Sequence, residues 1–136
     1  MISGTDRKDL IAKLAATPTG VAITCASPSM EPTIRAGDTV RVRRVERVRA
    51  GDVVVFETAD GAALMLHRVV LALPNVPWIA HLGDASRPRA TALFHRDRLI
   101  GVADVPKRPP RTAAVVMALA RLARRGVGAA ISTVKR

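Results

Sequence analysis

Two stretches carry residue types that can do acyl-transfer chemistry. One is Ser27-Pro28-Ser29-Met30-Glu31-Pro32-Thr33, closed by Gly37-Asp38; the other is Leu66-His67-Arg68-Val69-Val70. A serine hydroxyl is a weak nucleophile until a neighbouring base takes its proton. Pro28 and Pro32 fix φ and remove backbone donors, so Ser29 sits on a stiff segment with set side-chain directions. The base could be a neutral lysine, a histidine or an N-terminal amine. The lysines are Lys8, Lys13, Lys107 and Lys135, all in the terminal arms, whereas His67, His81 and His95 lie in the body of the chain. Histidine titrates near neutral pH and suits a general base. Out of context, Ser29 is also an ordinary turn serine and His67 an ordinary strand histidine. Their pairing therefore depends on the elements that hold them.

Those elements read as follows. Residues 5–16 form a short helix with Leu10, Ile11, Leu14 and Ala15 on one face and Thr5 or Asp6 as cap, ended by Pro18 and Gly20. Residues 21–26 are a β-type run leading into Ser27. The stretch 38–45 is a half-buried strand with a bulge at Arg43-Arg44. Residues 51–58 and 63–73 are strands joined by an Asp60-Gly61 hairpin turn. Short strands follow at 76–83 and 98–106. After the proline-rich linker 106–111, residues 112–125 become helical, with Gly126 and Gly128 as stops. On that helix Val115, Val116, Leu119 and Leu122 make an apolar stripe, and Arg121, Arg124 and Arg125 lie off it. The fold class is mainly β, with a helix at each end, in one domain. The pairs Gly37-Asp38, Gly51-Asp52 and Gly83-Asp84 read singly as turns.

Composition narrows the functions. The chain has 136 residues and a net charge of +11, with two Phe, one Trp and no Tyr. A basic balance favours acidic partners, but single-strand nucleic-acid binders need aromatic platforms that this chain lacks. Nucleic acid is therefore an unlikely partner. Lone Cys25 excludes an internal disulfide, reads as a buried apolar residue rather than a nucleophile, and fits a reducing compartment. No metal or other cofactor is expected, since His81 and His95 lack a ligand partner at short spacing and no HExxH or CxxC occurs. No secretory signal and no run of about 18 apolar residues is found, which suggests a cytoplasmic location. The basic amphipathic helix 112–125 allows a peripheral contact with an anionic membrane.

The blocks SPSMEPTI, GDTV, GDVVVF, LHRVV, LGDAS and LIGVA, in this order, resemble the signal peptidase family of serine endopeptidases over residues 21–105. The resemblance is to the histidine type, found in archaea and the endoplasmic reticulum. It implies a coiled antiparallel β domain of the kind shared with self-cleaving SOS repressors. It implies Ser29 as nucleophile, His67 as base, and Ser27 with the Ser29 N–H as oxyanion hole. The family places a small residue where Pro28 stands. It places an acidic residue that orients the histidine where Ala90 stands, which leaves Asp84 as the candidate for that role and Asp97 as a remoter one. The expected activity is removal of a leader from a precursor polypeptide after small residues. The alternative is a peptide-binding β domain that has lost turnover.

Overall fold

The computed structural model describes residues 4–126, with side chains from residue 9 onward. The expected caps Thr5 and Asp6 have side chains outside that range, and Gly128, Lys135 and Arg136 lie outside the described residues. The elements are α1 (Gly4–Ala15), β1 (Val21–Thr24), β2 (Thr39–Arg43), β3 (Val53–Glu57), β4 (Leu64–Leu71), β5 (Trp78–Leu82), β6 (Ala92–His95), β7 (Leu99–Ala103) and α2 (Thr112–Arg124). The seven strands form one sheet in the order β1-β2-β7-β3-β4-β5-β6, antiparallel at every pairing. The mainly β, antiparallel architecture expected from the sequence is what forms.

β3 lies mid-sheet and is buried along its whole length. Val53 and Val55 pack with Val42, Leu66 and Met30 on one face, while Val54 and Phe56 pack with Val69, Ile79 and Phe94 on the other. A strand covered on both faces has no polar alternation, so Val-Val-Val-Phe is the pattern it needs. Each fully buried valine contributes roughly 1.5–3 kcal/mol. Near-absence of aromatics is met by stacking the two that count: the Phe56 and Phe94 rings lie 4.0 Å apart and nearly parallel.

Three expectations need correction. The bulge expected at Arg43-Arg44 is absent, because β2 simply ends at Arg43, where the α1 end takes over: Arg44 N–H donates to Ala15 O. The register shifts fall instead at Val55/Phe56 and Val69/Leu71. β6 was not expected; it is four residues set between two one-turn 3-10 helices, too short to show alternation. The α2 stripe is rotated. Ala114 and Ala118 dock on the sheet beside Val70, Ala80 and Leu82, with Val115 packed at the side of that cluster and Leu122 buried, whereas Val116 and Leu119 are exposed. Two of the arginines are part of this docking. Arg121 donates to Arg89 O, and the Arg125 guanidinium lies 3.7 Å from the Trp78 ring centroid.

Candidate active site

Ser29 lies in a single 3-10 turn, Pro28–Met30, that follows β1. Proline suits the first position of such a turn because its missing N–H has no partner to lose there. Ser27 caps the turn: its Oγ accepts from Ser29 N–H at 3.2 Å. Met30 is fully buried and anchors the turn in the core. A second anchor is a close backbone approach. Ser29 O accepts from Ala85 N–H at 2.9 Å, and a Cβ on Gly83 would fall 2.5 Å from that same oxygen. Glycine at 83 is required by this contact and not by its dihedral angles.

His67 projects from β4, half-buried, and its Nε2 is 3.2 Å from Ser29 Oγ. The structure thus brings together the two residues singled out as nucleophile and base. His67 Nδ1 is 2.9 Å from Nδ1 of His81 on β5. Burial pushes the His67 pKa down to about 4, although the Asp84 charge acts to raise it. His81 is pushed down to about 3, first by burial and then by the His67 charge. Both rings are neutral at pH 7.

The sheet register explains why it is His81, and not Asp84, that meets His67. Arg68 pairs with Leu82 and Val69 with His81, so His67, Val69 and His81 share one face and Arg68 takes the other. Side chains diagonal to one another across antiparallel strands remain within reach when they are long. Asp84, two residues beyond Leu82, meets Arg68 instead. Arg68 Nε and Nη2 donate to Asp84 Oδ1 and Oδ2 at 2.8 and 2.7 Å, and Thr33 Oγ1 donates to Oδ2 at 2.6 Å. Arg68 Nη1 donates to Gly51 O and Pro106 O. Burial alone would raise the Asp84 pKa; the Arg68 and Thr33 hydrogen bonds outweigh it and hold the carboxyl below its usual range. The Asp84 carboxylate is thus committed to Arg68 and Thr33 and makes no hydrogen bond to the imidazole, which corrects the geometry expected for it. Asp97 lies elsewhere, against His95 at 2.8 Å. Ala90 is in a 3-10 turn and supplies no acid.

In front of the pair lies an open cleft of about 520 Å³, lined by Ile23, Cys25, Ser27, Val55, Leu64 and Leu66 together with Ser29 and His67. Its walls are mostly apolar, with Ile23, Val55, Leu64 and Leu66 as the bulky members. Two strand edges border it. β1 is at the end of the sheet, and the Leu64–Leu66 part of β4 precedes the first residue paired with β5. Cys25 is buried and donates to Ser27 O at 3.2 Å, so it shapes the loop from behind.

The model of one protein family, Peptidase S24-like, matches residues 4–79. The chain belongs to the Peptidase S24-like family. The matched region holds both Ser29 and His67 but ends before Asp84. No curated protein matches the chain. Membership in a peptidase family and the antiparallel β domain agree with each other. Among the described residues of this S24-like chain, no helix is long and apolar enough to cross a membrane.

The residue that sequence reasoning missed is His81. The sequence offers it as one of three histidines in the body that could serve as base and as a metal ligand without a partner at short spacing, but not as a partner of His67. The available signal was strand parity: two histidines fourteen residues apart on successive antiparallel strands, with Pro74-Asn75 between them as the turn.

Proposed function

We propose that this S24-like chain is a serine endopeptidase of the signal peptidase type, acting on a leader or precursor polypeptide after small residues. Ser29 is the nucleophile and His67 the general base. The observation that carries this reading is the 3.2 Å approach of Ser29 Oγ to a neutral imidazole nitrogen at the floor of an apolar cleft.

The chemistry follows from those positions. An extended peptide lies in the cleft and pairs with a strand edge, as peptides do at exposed sheet edges. Ser29 Oγ attacks the scissile carbonyl while its proton passes to His67 Nε2. The carbon–nitrogen bond breaks, and the departing amine takes that proton. Water then attacks the acyl-serine, giving its proton to His67, which passes it to Ser29 Oγ as the ester C–O bond breaks and the acid leaves. The negative charge on the carbonyl oxygen needs fixed donors, each contributing about 3–4 kcal/mol. Ser27 is suited to give one. Its Oγ accepts from Ser29 N–H and still carries its own proton for the oxyanion. Pro28 has no N–H to add.

Bulky apolar walls at Ile23, Leu64 and Leu66 leave limited room beside Ser29 and support a preference for small side chains near the scissile bond. The test uses the full chain, a set of internally quenched peptides with alanine or glycine before the cleaved bond, and a fluorophosphonate that modifies activated serines. Wild-type protein is expected to cleave a subset of the peptides and to be labelled on Ser29. Ser29→Ala removes both while the circular dichroism spectrum is unchanged. Cleavage or labelling that persists in Ser29→Ala, or that is absent from the folded wild type, overturns the reading.

A further inference from the structure

The two imidazoles meet nitrogen to nitrogen, and this restricts their protonation. At 2.9 Å, two Nδ1 atoms form a hydrogen bond only if one carries the proton and the other offers a lone pair. If His81 donates, His67 carries its proton on Nε2 and points it at Ser29, where it can take nothing from the hydroxyl. If His67 donates, its Nε2 presents a lone pair to Ser29 Oγ at 3.2 Å. We propose that His81 is the positioning residue of this site, its Nδ1 accepting the Nδ1–H of His67 and so fixing the tautomer in which Nε2 can receive the serine proton. The inference rests on the peptidase reading of Ser29 and His67 for its kinetic consequence, but not for the tautomer itself.

Packing makes His81 suited to the task. It is buried, on the same sheet face as His67, and it sits against the stacked aromatic pair. Its ring centroid is 4.7 Å from that of Phe56 and 5.6 Å from that of Phe94. A ring wedged in this way holds its acceptor still. Among the described residues no carboxylate competes for the role, since Asp84 is committed to Arg68 and Thr33 on the other face. A metal reading of the histidine pair lacks donors: among the described residues, no group of three His, Cys, Asp or Glu side chains converges. An imidazole acceptor differs from a carboxylate in one consequence. It carries no negative charge, so it orients the base without making it much more basic.

Three proteins test this: wild type, His81→Asn and His81→Ala. Asparagine places its Oδ1 where Nδ1 of His81 stands and keeps an acceptor; alanine removes it. The first readout is the imidazole nitrogen NMR spectrum at pH 7. Wild type is expected to show His67 protonated on Nδ1 and bare on Nε2, with His81 protonated on Nε2. A His67 ring protonated on Nε2 in wild type overturns the proposal, whatever the variants do. The second readout is fluorophosphonate modification of Ser29, separated into its maximal rate and its half-saturating concentration. The expected result is a maximal rate about 10- to 100-fold lower in His81→Ala, smaller than the roughly 10²- to 10⁴-fold expected for losing the base itself, because His81 acts through His67. The half-saturating concentration should change less than about twofold, and His81→Asn should recover most of the loss. A folded His81→Ala with the wild-type rate overturns the proposal, as does a His81→Asn no faster than His81→Ala. If wild type is not labelled at all, the peptidase reading fails, and the NMR spectrum still decides the role of His81.

Discussion

His67 and Arg68 are neighbours in sequence and face opposite sides of β4, and the two sides are built on opposite electrostatics. On the His67 side the contacts at the site are between uncharged groups at pH 7. Two neutral rings and a serine hydroxyl share protons against a wall of phenylalanine and valine. On the Arg68 side a full positive charge is met by a full negative one, and the Arg68 Nε, Nη1 and Nη2 groups all donate hydrogen bonds. The charged face ties β4 to the Gly51 turn, the Pro106 linker and the Thr33 loop. It fixes the frame in which the uncharged face can place a proton. Burial has opposite results on the two sides. It lowers the pKa of His67, which has only uncharged hydrogen-bond partners, and it acts to raise the pKa of Asp84, where the Arg68 and Thr33 hydrogen bonds outweigh it.

The contrast breaks first at Arg68. Arg68→Met leaves Asp84 buried without its cation and is expected to destabilise the fold by about 3–5 kcal/mol at pH 7. The loss should shrink toward pH 4. Without Arg68, only the Thr33 hydrogen bond and the Arg108 charge still oppose burial, so the Asp84 pKa rises from its wild-type position, and a protonated carboxyl no longer needs a cation. Urea unfolding at pH 7 and pH 4.5 checks both statements; a loss below about 1 kcal/mol at pH 7 contradicts them. In wild type the sign is the reverse. Asp84 has a depressed pKa, so its contribution is present above pH 3.8 and is lost as pH falls through its folded value.

A smaller effect is expected at the seam between the two faces. Gly83→Ala puts a methyl group against Ser29 O and should cost about 1–3 kcal/mol. Its larger signature is catalytic, because displacing Ser29 by an ångström from His67 costs on the order of 100-fold. Fluorophosphonate labelling beside thermal melting separates the two. Labelling unchanged in a folded Gly83→Ala would show that the Gly83 approach does not position the serine.

Much of this arrangement was legible in the sequence because local signals agreed with the fold. The valine-rich run at 53–57, the Asp60-Gly61 turn and the β-type run at 64–71 each specify their own element. Chemical type marks Ser29 and the body histidines as candidates, and the choice of His67 comes from the block order that resembles the signal peptidases. Other features depend on pairing. Gly37-Asp38 and Gly51-Asp52 are the turns they read as: both glycines have positive φ, and both aspartates accept from the N–H three residues back. Gly83-Asp84 looks the same in sequence, yet its glycine packs on Ser29 and its aspartate holds Arg68. Nothing within the dipeptide distinguishes it. His81 was hidden for the same reason. Its partner is set by the β4–β5 register, and that register includes a shift at Val69/Leu71 that no local pattern announces. The burial of α2 likewise follows from Arg121 and Arg125 docking on Arg89 O and Trp78, a choice that a helical wheel of apolar residues does not contain.

The claim that everything else depends on is that His67 takes the proton of Ser29. The most direct measurement is the rate of fluorophosphonate modification of Ser29 from pH 3 to pH 8, in wild type and in His67→Ala, with circular dichroism confirming the fold at each pH. A base must be neutral to act, and burial lowers the pKa of this one, so the wild-type rate should hold level from pH 8 to about pH 5 and fall by half near its pKa of about 4. His67→Ala should be slower by about 10²- to 10⁴-fold on the plateau and show no such limb. Equal plateau rates in the two proteins, or the same acid limb in both, would contradict the account.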